Sequence, residues 1–212
     1  MHGSIKESLR LLEASKLPPH DALPAIFKAV AKRIDSRGGC FERLEWPASL
    51  FPVECRPSPL HGRGVFTTRD VEIGELLTLY PPDGFSMNVG NNSLVALNCT
   101  SEEAEVKDMI RRYSVALGLE ESGETLVYLL GCPRLAEDPA YLGHLVNDAP
   151  HAPGLSKRQQ KLAQRQVNAA LIPIASFAHT ALVARKRIPA GTEVLSSYGL
   201  GYWKDLAQPR DV

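Results

Sequence analysis

Cysteine is scarce, with four residues (Cys40, Cys55, Cys99 and Cys132) in a chain of 212. They form no Cys-x-x-Cys pair and have no histidine at a zinc-like spacing, which argues against a zinc module and a disulfide scaffold and leaves reduced, mostly buried thiols. Charge of one sign is not in excess either: 24 basic residues face 24 acidic ones, so no global field points to nucleic acid or membrane. No apolar run approaches the ~18 residues that read as a bilayer span. The N-terminus, MHGSIKESLRLLEASK, lacks the apolar centre of a secretory signal. The expectation is a soluble intracellular protein, nuclear or cytoplasmic. What is present is a globular composition, 44% hydrophobic and 23% charged, long enough for one domain with an extension.

Residues 4–16 place Ile5, Leu9 and Leu12 at helical spacing, and residues 21–35 do the same with Leu23, Ile26, Phe27, Val30 and Ile34. Asp21 suits an N-cap and Gly38-Gly39 a stop. A helical extension over residues 1–50 is predicted. From Phe51 the texture changes to short β-like runs between prolines and glycines: VECRP, GVFTT, LLTLY, LVALN and TLVYLLG. Short strands without long helices point to small twisted sheets. A short helix is expected between Glu102 and Arg112, and the run 156–166, SKRQQKLAQRQ, reads as a helix or a mobile loop.

Two stretches answer each other. SPLHGRGVFTTRDVEIGELLTLY (Ser58 to Tyr80) and TALVARKRIPAGTEVLSSYG (Thr180 to Gly199) each end in strand, charged turn, Gly-Glu or Gly-Thr-Glu, strand and tyrosine. The first adds a Gly62-Arg63-Gly64 turn, where glycine permits positive φ and close approach of backbone to a ligand. Read alone, such a turn is usually a plain hairpin. Between the two lies YLGHLVNDAPH (Tyr141 to His151).

In order and spacing the three pieces resemble the SET domain of protein lysine methyltransferases. The resemblance implies an α+β, mainly β fold of short twisted sheets in which the last strand threads beneath a loop as a C-terminal pseudoknot. It implies a catalytic domain over 51–200, with a variable insert at about 85–140, a basic insert at about 151–166 and a flank at 201–212. It also implies S-adenosylmethionine as cofactor, with the turn holding its amino-acid end through Arg63 and Gly64, and less directly Gly62. HLVND stands where the family carries Asn-His: Asn147 is kept, its amide offering donors and an acceptor, while Asp148 replaces the histidine. His144 either orients that motif or touches the cofactor. Tyr198 matches the tyrosine beside the transferred methyl, Tyr80 a second phenol lining the lysine channel, and Tyr202 and Trp203 an aromatic wall. By strand statistics alone each would be a core aromatic. No metal site is implied, and the zinc-binding cysteine clusters of many relatives are missing here.

Asn168 resembles the later Asn of the family's pattern, at a longer gap. The run between carries Lys157, Arg158, Lys161 and Arg165 and no acid from Ser156 to Gln166. It is either a solvated helix face or a contact for an acidic or nucleic-acid partner. The predicted activity is methyl transfer to lysine of a histone or another protein. The rival reading is an inactive SET-like interaction module associated with chromatin, in which Asp148 marks a lost cofactor site.

Overall fold

The computed structural model describes residues 43–89, 92–97, 103–119, 126–135, 137–148, 156–174 and 179–198. The helices expected over 4–16 and 21–35, and Tyr202 and Trp203, lie outside them. Small sheets dominate. β1 (Val53–Pro57) pairs antiparallel with β2 (Arg63–Thr67). β3 (Leu76–Tyr80) lies beside β10 (His179–Ala184), which also pairs with β9 (Ala169–Ile174), in the order β3-β10-β9. A four-stranded antiparallel sheet, in the order β5-β4-β7-β6, is built from β4 (Gly84–Val89), β5 (Asn92–Leu97), β6 (Ser114–Leu119) and β7 (Leu126–Leu130). Helix α1 (Glu103–Arg112) falls between β5 and β6, where a short helix is expected. No helix among the described residues is long and apolar enough to cross a membrane.

The two answering stretches pair with one another. Val71 and Ile188 exchange both backbone hydrogen bonds at 2.9 Å. Outward from them, β3 of the first stretch pairs with β10 of the second, and Phe66 of β2 bridges Glu193. Gly74 N–H donates to the Ala184 carbonyl (2.8 Å) and Gly191 N–H to the Thr67 carbonyl (2.7 Å). Both glycines have positive φ, 85° and 73°, which side chains resist and glycine does not. The pattern is that of an approximate two-fold rotation centred on Val71 and Ile188. It follows from two similar strand-turn-strand sequences, each too short to bury its apolar face alone.

All of β3 is buried, and its mostly apolar run suits a strand covered on both faces. The hydroxyl in its middle is satisfied: Thr78 donates to the Pro139 carbonyl at 2.8 Å and accepts from Leu142 N–H at 2.9 Å. Residues 43–50 pack on this core. The buried Tyr141 hydroxyl accepts from Leu44 N–H (2.6 Å) and Trp46 Nε1 (2.9 Å), and the Arg43 guanidinium lies 5.5 Å from the Tyr141 ring centre. Arg43 also forks onto the buried Asp83 carboxylate at 2.8 and 2.9 Å, and Cys132 N–H donates to the same carboxylate at 2.7 Å.

Helix α2 (Lys157–Gln166) resolves the helix-or-loop alternative. Ser156 caps it, with Gln159 N–H donating to its hydroxyl while Ser156 N–H donates to Gln159 Oε1, a reciprocal capping box. The last strand, β11 (Leu195–Ser196), is held from two sides. It pairs parallel with β8 (Asn147–Asp148), and the buried Asn168 bonds both ways with Leu195, accepting its N–H on Oδ1 (2.8 Å) and donating its own to the carbonyl (3.0 Å). β11 thus lies between two earlier segments, as expected for a threaded strand.

Candidate active site

The Gly62-Arg63-Gly64 turn opens β2, and its geometry is set by four side chains. Ser58 starts it, accepting from Leu60 N–H at 3.0 Å, and Gly62 adopts φ 50° in open space. Gly64 is different. A Cβ there would stand 2.3 Å from Glu193 Oε1, 3.0 Å from Ser58 Cβ and 3.1 Å from Asn147 Nδ2, so only glycine fits without displacement.

Glu193 Oε1 is the hub of this corner, accepting from Ser58 Oγ and from Asn147 Nδ2, each at 2.8 Å. Asn147 Nδ2 also faces the carbonyls of Arg63 (3.1 Å) and His61 (3.3 Å). Its two hydrogens are therefore committed to the turn and to Glu193, which leaves Oδ1 as an acceptor. Beside it stand two carbonyls and a carboxylate. Such a corner suits an ammonium group, and in that respect the residues fit the amino-acid end of S-adenosylmethionine. The glutamate is itself aimed by Asn168, whose Nδ2 donates to the Glu193 carbonyl at 2.8 Å.

Arg63 is turned away. Its guanidinium pairs with Glu137 and its Nε reaches Cys55 Sγ at 3.3 Å. Both members of the pair are well exposed, so solvent screens it to about 0–1 kcal/mol and a competing carboxylate can take the arginine. Asp148 lies buried in β8 opposite Ser196.

Tyr198 and Tyr80 both meet the segment between Gly143 and Asp148. The Tyr198 hydroxyl donates to the Val146 carbonyl at 2.5 Å, next in sequence to Asn147. Tyr80, buried at the end of β3, stands edge-on to the His144 ring with centroids 6.5 Å apart, and Tyr113 does so from another side at 6.1 Å. His144 is 8% exposed and its Nδ1 is buried with no hydrogen-bond partner. Burial pushes its pKa down to about 3, helped by Arg43 and Arg63 and opposed by a hydrogen bond with the Tyr141 backbone. The imidazole is neutral at physiological pH. Its placement needs glycine twice: a Cβ on Gly131 would strike His144 Cβ at 2.5 Å, and one on Gly143 would strike the Leu79 carbonyl at 2.7 Å.

Arg63, Gly64 and Asn147 are thus brought together, and His144, Tyr80 and Tyr198 gather on the adjoining segment. Trp203 lies outside the described residues. Glu193 and Ser58 were missed as site residues by sequence reasoning. Ser58 carried a usable signal, a serine four residues ahead of Gly62 in the turn it closes. Glu193 carried only its place in Gly-Thr-Glu. Among the described residues no cluster of ligating side chains could hold a metal ion. Of the four cysteines, Cys132 is buried and free and Cys55 is half-buried and free.

Neither a family model nor a curated protein matches the sequence. Among solved structures, the chain is similar to the SET domain of ATXR5 in complex with dimethylated histone H3, at 13% identity over 86% of this chain and 67% of that one, with a TM-score of 0.46. It is similar to CpSET8 from Cryptosporidium at 12% identity over 71% of this chain and 59% of that one, TM-score 0.39. A Plasmodium falciparum protein provisionally named a histone methyltransferase gives 15% identity over 72% and 97%, TM-score 0.39. The chain's own arrangement, small antiparallel sheets with β11 laid parallel beside β8, agrees with the SET-type fold that the sequence resemblance implies.

Proposed function

We propose that the chain is an S-adenosylmethionine-dependent N-methyltransferase acting on lysine of a protein, a histone or another. The observation that carries this reading is the Tyr198 hydroxyl set against the Val146 carbonyl at 2.5 Å, one residue from the Asn147 corner. Two oxygens are thereby concentrated beside a corner suited to an α-ammonium.

When bound, the cofactor supplies an electrophilic methyl on sulfonium. Asn147 Oδ1 and the turn carbonyls would receive its ammonium, and Arg63, once released from Glu137, its carboxylate. The Tyr198 oxygen and the Val146 carbonyl can hold polarised C–H groups by weak C–H···O contacts. The incoming lysine must lose its proton, at a cost of about 5 kcal/mol at pH 7 from its ordinary pKa. Apolar walls reduce that cost by disfavouring the ammonium. Tyr80, packed with Leu129, gives such a wall. His144, kept neutral, adds no charge beside it. Because the reaction draws on an intracellular cofactor, the place of action is the nucleus or cytoplasm.

A second reading has two observations in its favour: Arg63 is already engaged with Glu137, and Asp148 stands where the family has histidine. An inactive SET-like interaction module would look the same there. Calorimetry with S-adenosylmethionine separates the two. The enzyme binds it, and Asn147→Ala binds it at least about tenfold more weakly through the lost hydrogen bond to a charged group. The module binds neither way.

A further inference from the structure

Next to Tyr198 in the chain, Ser196 and Ser197 open onto a cavity of about 230 Å³ whose apolar lining includes Val167, Ala169 and Leu171, and whose cation is Arg185. Leu171 packs in turn against the Tyr80 cluster, so the cavity adjoins both phenols of the candidate site. Arg185 is anchored at its base, its N–H donating to the Asn168 carbonyl at 2.8 Å. Its neighbour Lys186 gives its ammonium to the Arg165 carbonyl, 2.8 Å away at the end of α2. Cavity and helix therefore form one continuous surface.

That surface is basic in a chain of balanced charge. Arg158, Lys161 and Arg165 fall at spacings of three and four, on one exposed stripe of α2, and Leu162 stands among them at 51% exposure. Elsewhere Arg43, Arg56, Arg63, Arg69 and Arg187 each have a carboxylate partner. Among the described residues none pairs with Arg158, Lys161, Arg165 or Arg185. Like charges four apart weaken a helix, and α2 has no acid in its first turn to favour its dipole. Only Arg165, in the last turn, favours the dipole; Arg158 and Lys161 have no such compensation.

We infer that this face docks an acidic segment of the protein substrate. Arg185 takes one glutamate or aspartate side chain at the cavity, where a guanidinium can grip a carboxylate with two hydrogen bonds. The α2 stripe takes acidic residues farther along, and Leu162 an apolar one. A peptide fits better than nucleic acid, because the cavity is small and aliphatic and offers no aromatic platform for a base. The inference rests on the methyltransferase reading and narrows its substrate: the lysine lies near acids, unlike a basic tail.

The test uses three labelled peptides of equal length, with one lysine flanked by glutamates, by glutamines or by arginines, bound to the full chain without cofactor and followed by anisotropy. The acidic peptide should bind about tenfold more tightly than the neutral one at low salt, with the gap narrowing as salt rises. Arg185→Glu and the pair Lys161→Glu with Arg165→Glu should each remove the preference while leaving the melting temperature near the parent's. Equal binding of the three peptides, no binding of any, or preference retained in both variants overturns the inference. Tighter binding of a duplex oligonucleotide than of the acidic peptide overturns it too and assigns the face to nucleic acid. Methyl transfer is read separately: preference without transfer counts against the methyltransferase reading, and transfer without preference against the docking face.

Discussion

Gly64→Ala gives the sharpest view of how the corner is held. The new Cβ would stand 2.3 Å from Glu193 Oε1, so the carboxylate has to move. That oxygen accepts two hydrogen bonds of 2.8 Å, from Ser58 and Asn147, and moving it strands both donors. Hydrogen bonds to a charged group are worth about 1.5–3 kcal/mol each when buried. Glu193 is only half-buried, which discounts the sum to about 2–4 kcal/mol. For a chain of this size the melting temperature should fall by roughly 5–15 °C. Gly62→Ala is the control: it meets open space at φ 50° and should cost only about 1 kcal/mol for left-handed backbone. Urea unfolding of a double-mutant cycle with Glu193→Ala isolates the cause. In that background Gly64→Ala should lose most of its cost, the remaining contacts being with Ser58 and Asn147 at 3.0–3.1 Å. Equal losses in both backgrounds, or Gly64→Ala no worse than Gly62→Ala, would refute the argument.

Arg43→Ala should destabilise the protein by about 3–5 kcal/mol in urea unfolding, because it leaves the 2% exposed Asp83 carboxylate without its cation. Asn168→Ala, which frees Leu195 N–H and the Glu193 carbonyl, should loosen β11 and raise hydrogen exchange at Leu195 by more than tenfold, roughly 1.4 kcal/mol or more of lost protection. The buried His144 makes stability depend on pH. Its folded pKa of about 3 lies below the unfolded value of about 6.5, so the unfolded chain binds the extra proton. Its contribution is therefore full above about pH 6.5 and is lost on descent toward pH 3, by an amount on the order of a few kcal/mol. Unfolding free energies at pH 7.5 and 5 should differ less in His144→Phe than in the parent.

The fold was legible where a single segment carried its own signal. LLTLY reads as a short β-like run and is a strand, buried along its whole length. The run 156–166 reads as a helix or a mobile loop, and the capping box of Ser156 and Gln159 makes it a helix. GFSMNV and SVALGL were not read as strands, because glycine, serine and asparagine interrupt the apolar pattern and pairing with β7 supplies what propensity lacks. Site residues divide the same way. The turn and Asn147 stood out by motif, whereas Glu193 acts on Ser58 across 135 residues, a contact no local pattern encodes. Asp83, in a Pro-Pro-Asp-Gly run, looks like a turn residue. Its partner Arg43 lies forty residues away.

Methyl transfer to lysine is proposed at the Tyr198–Val146 oxygen pair. Its most direct test is mass spectrometry of lysine peptides incubated with the protein and isotopically labelled S-adenosylmethionine, run beside Tyr198→Phe. The expected result is a labelled methyl on the lysine nitrogen, and a rate at least about tenfold lower in Tyr198→Phe, equivalent to about 1.4 kcal/mol of lost transition-state stabilisation, with cofactor affinity retained. A protein that binds the cofactor but leaves every lysine peptide unlabelled, or a Tyr198→Phe variant as fast as the parent, would contradict it.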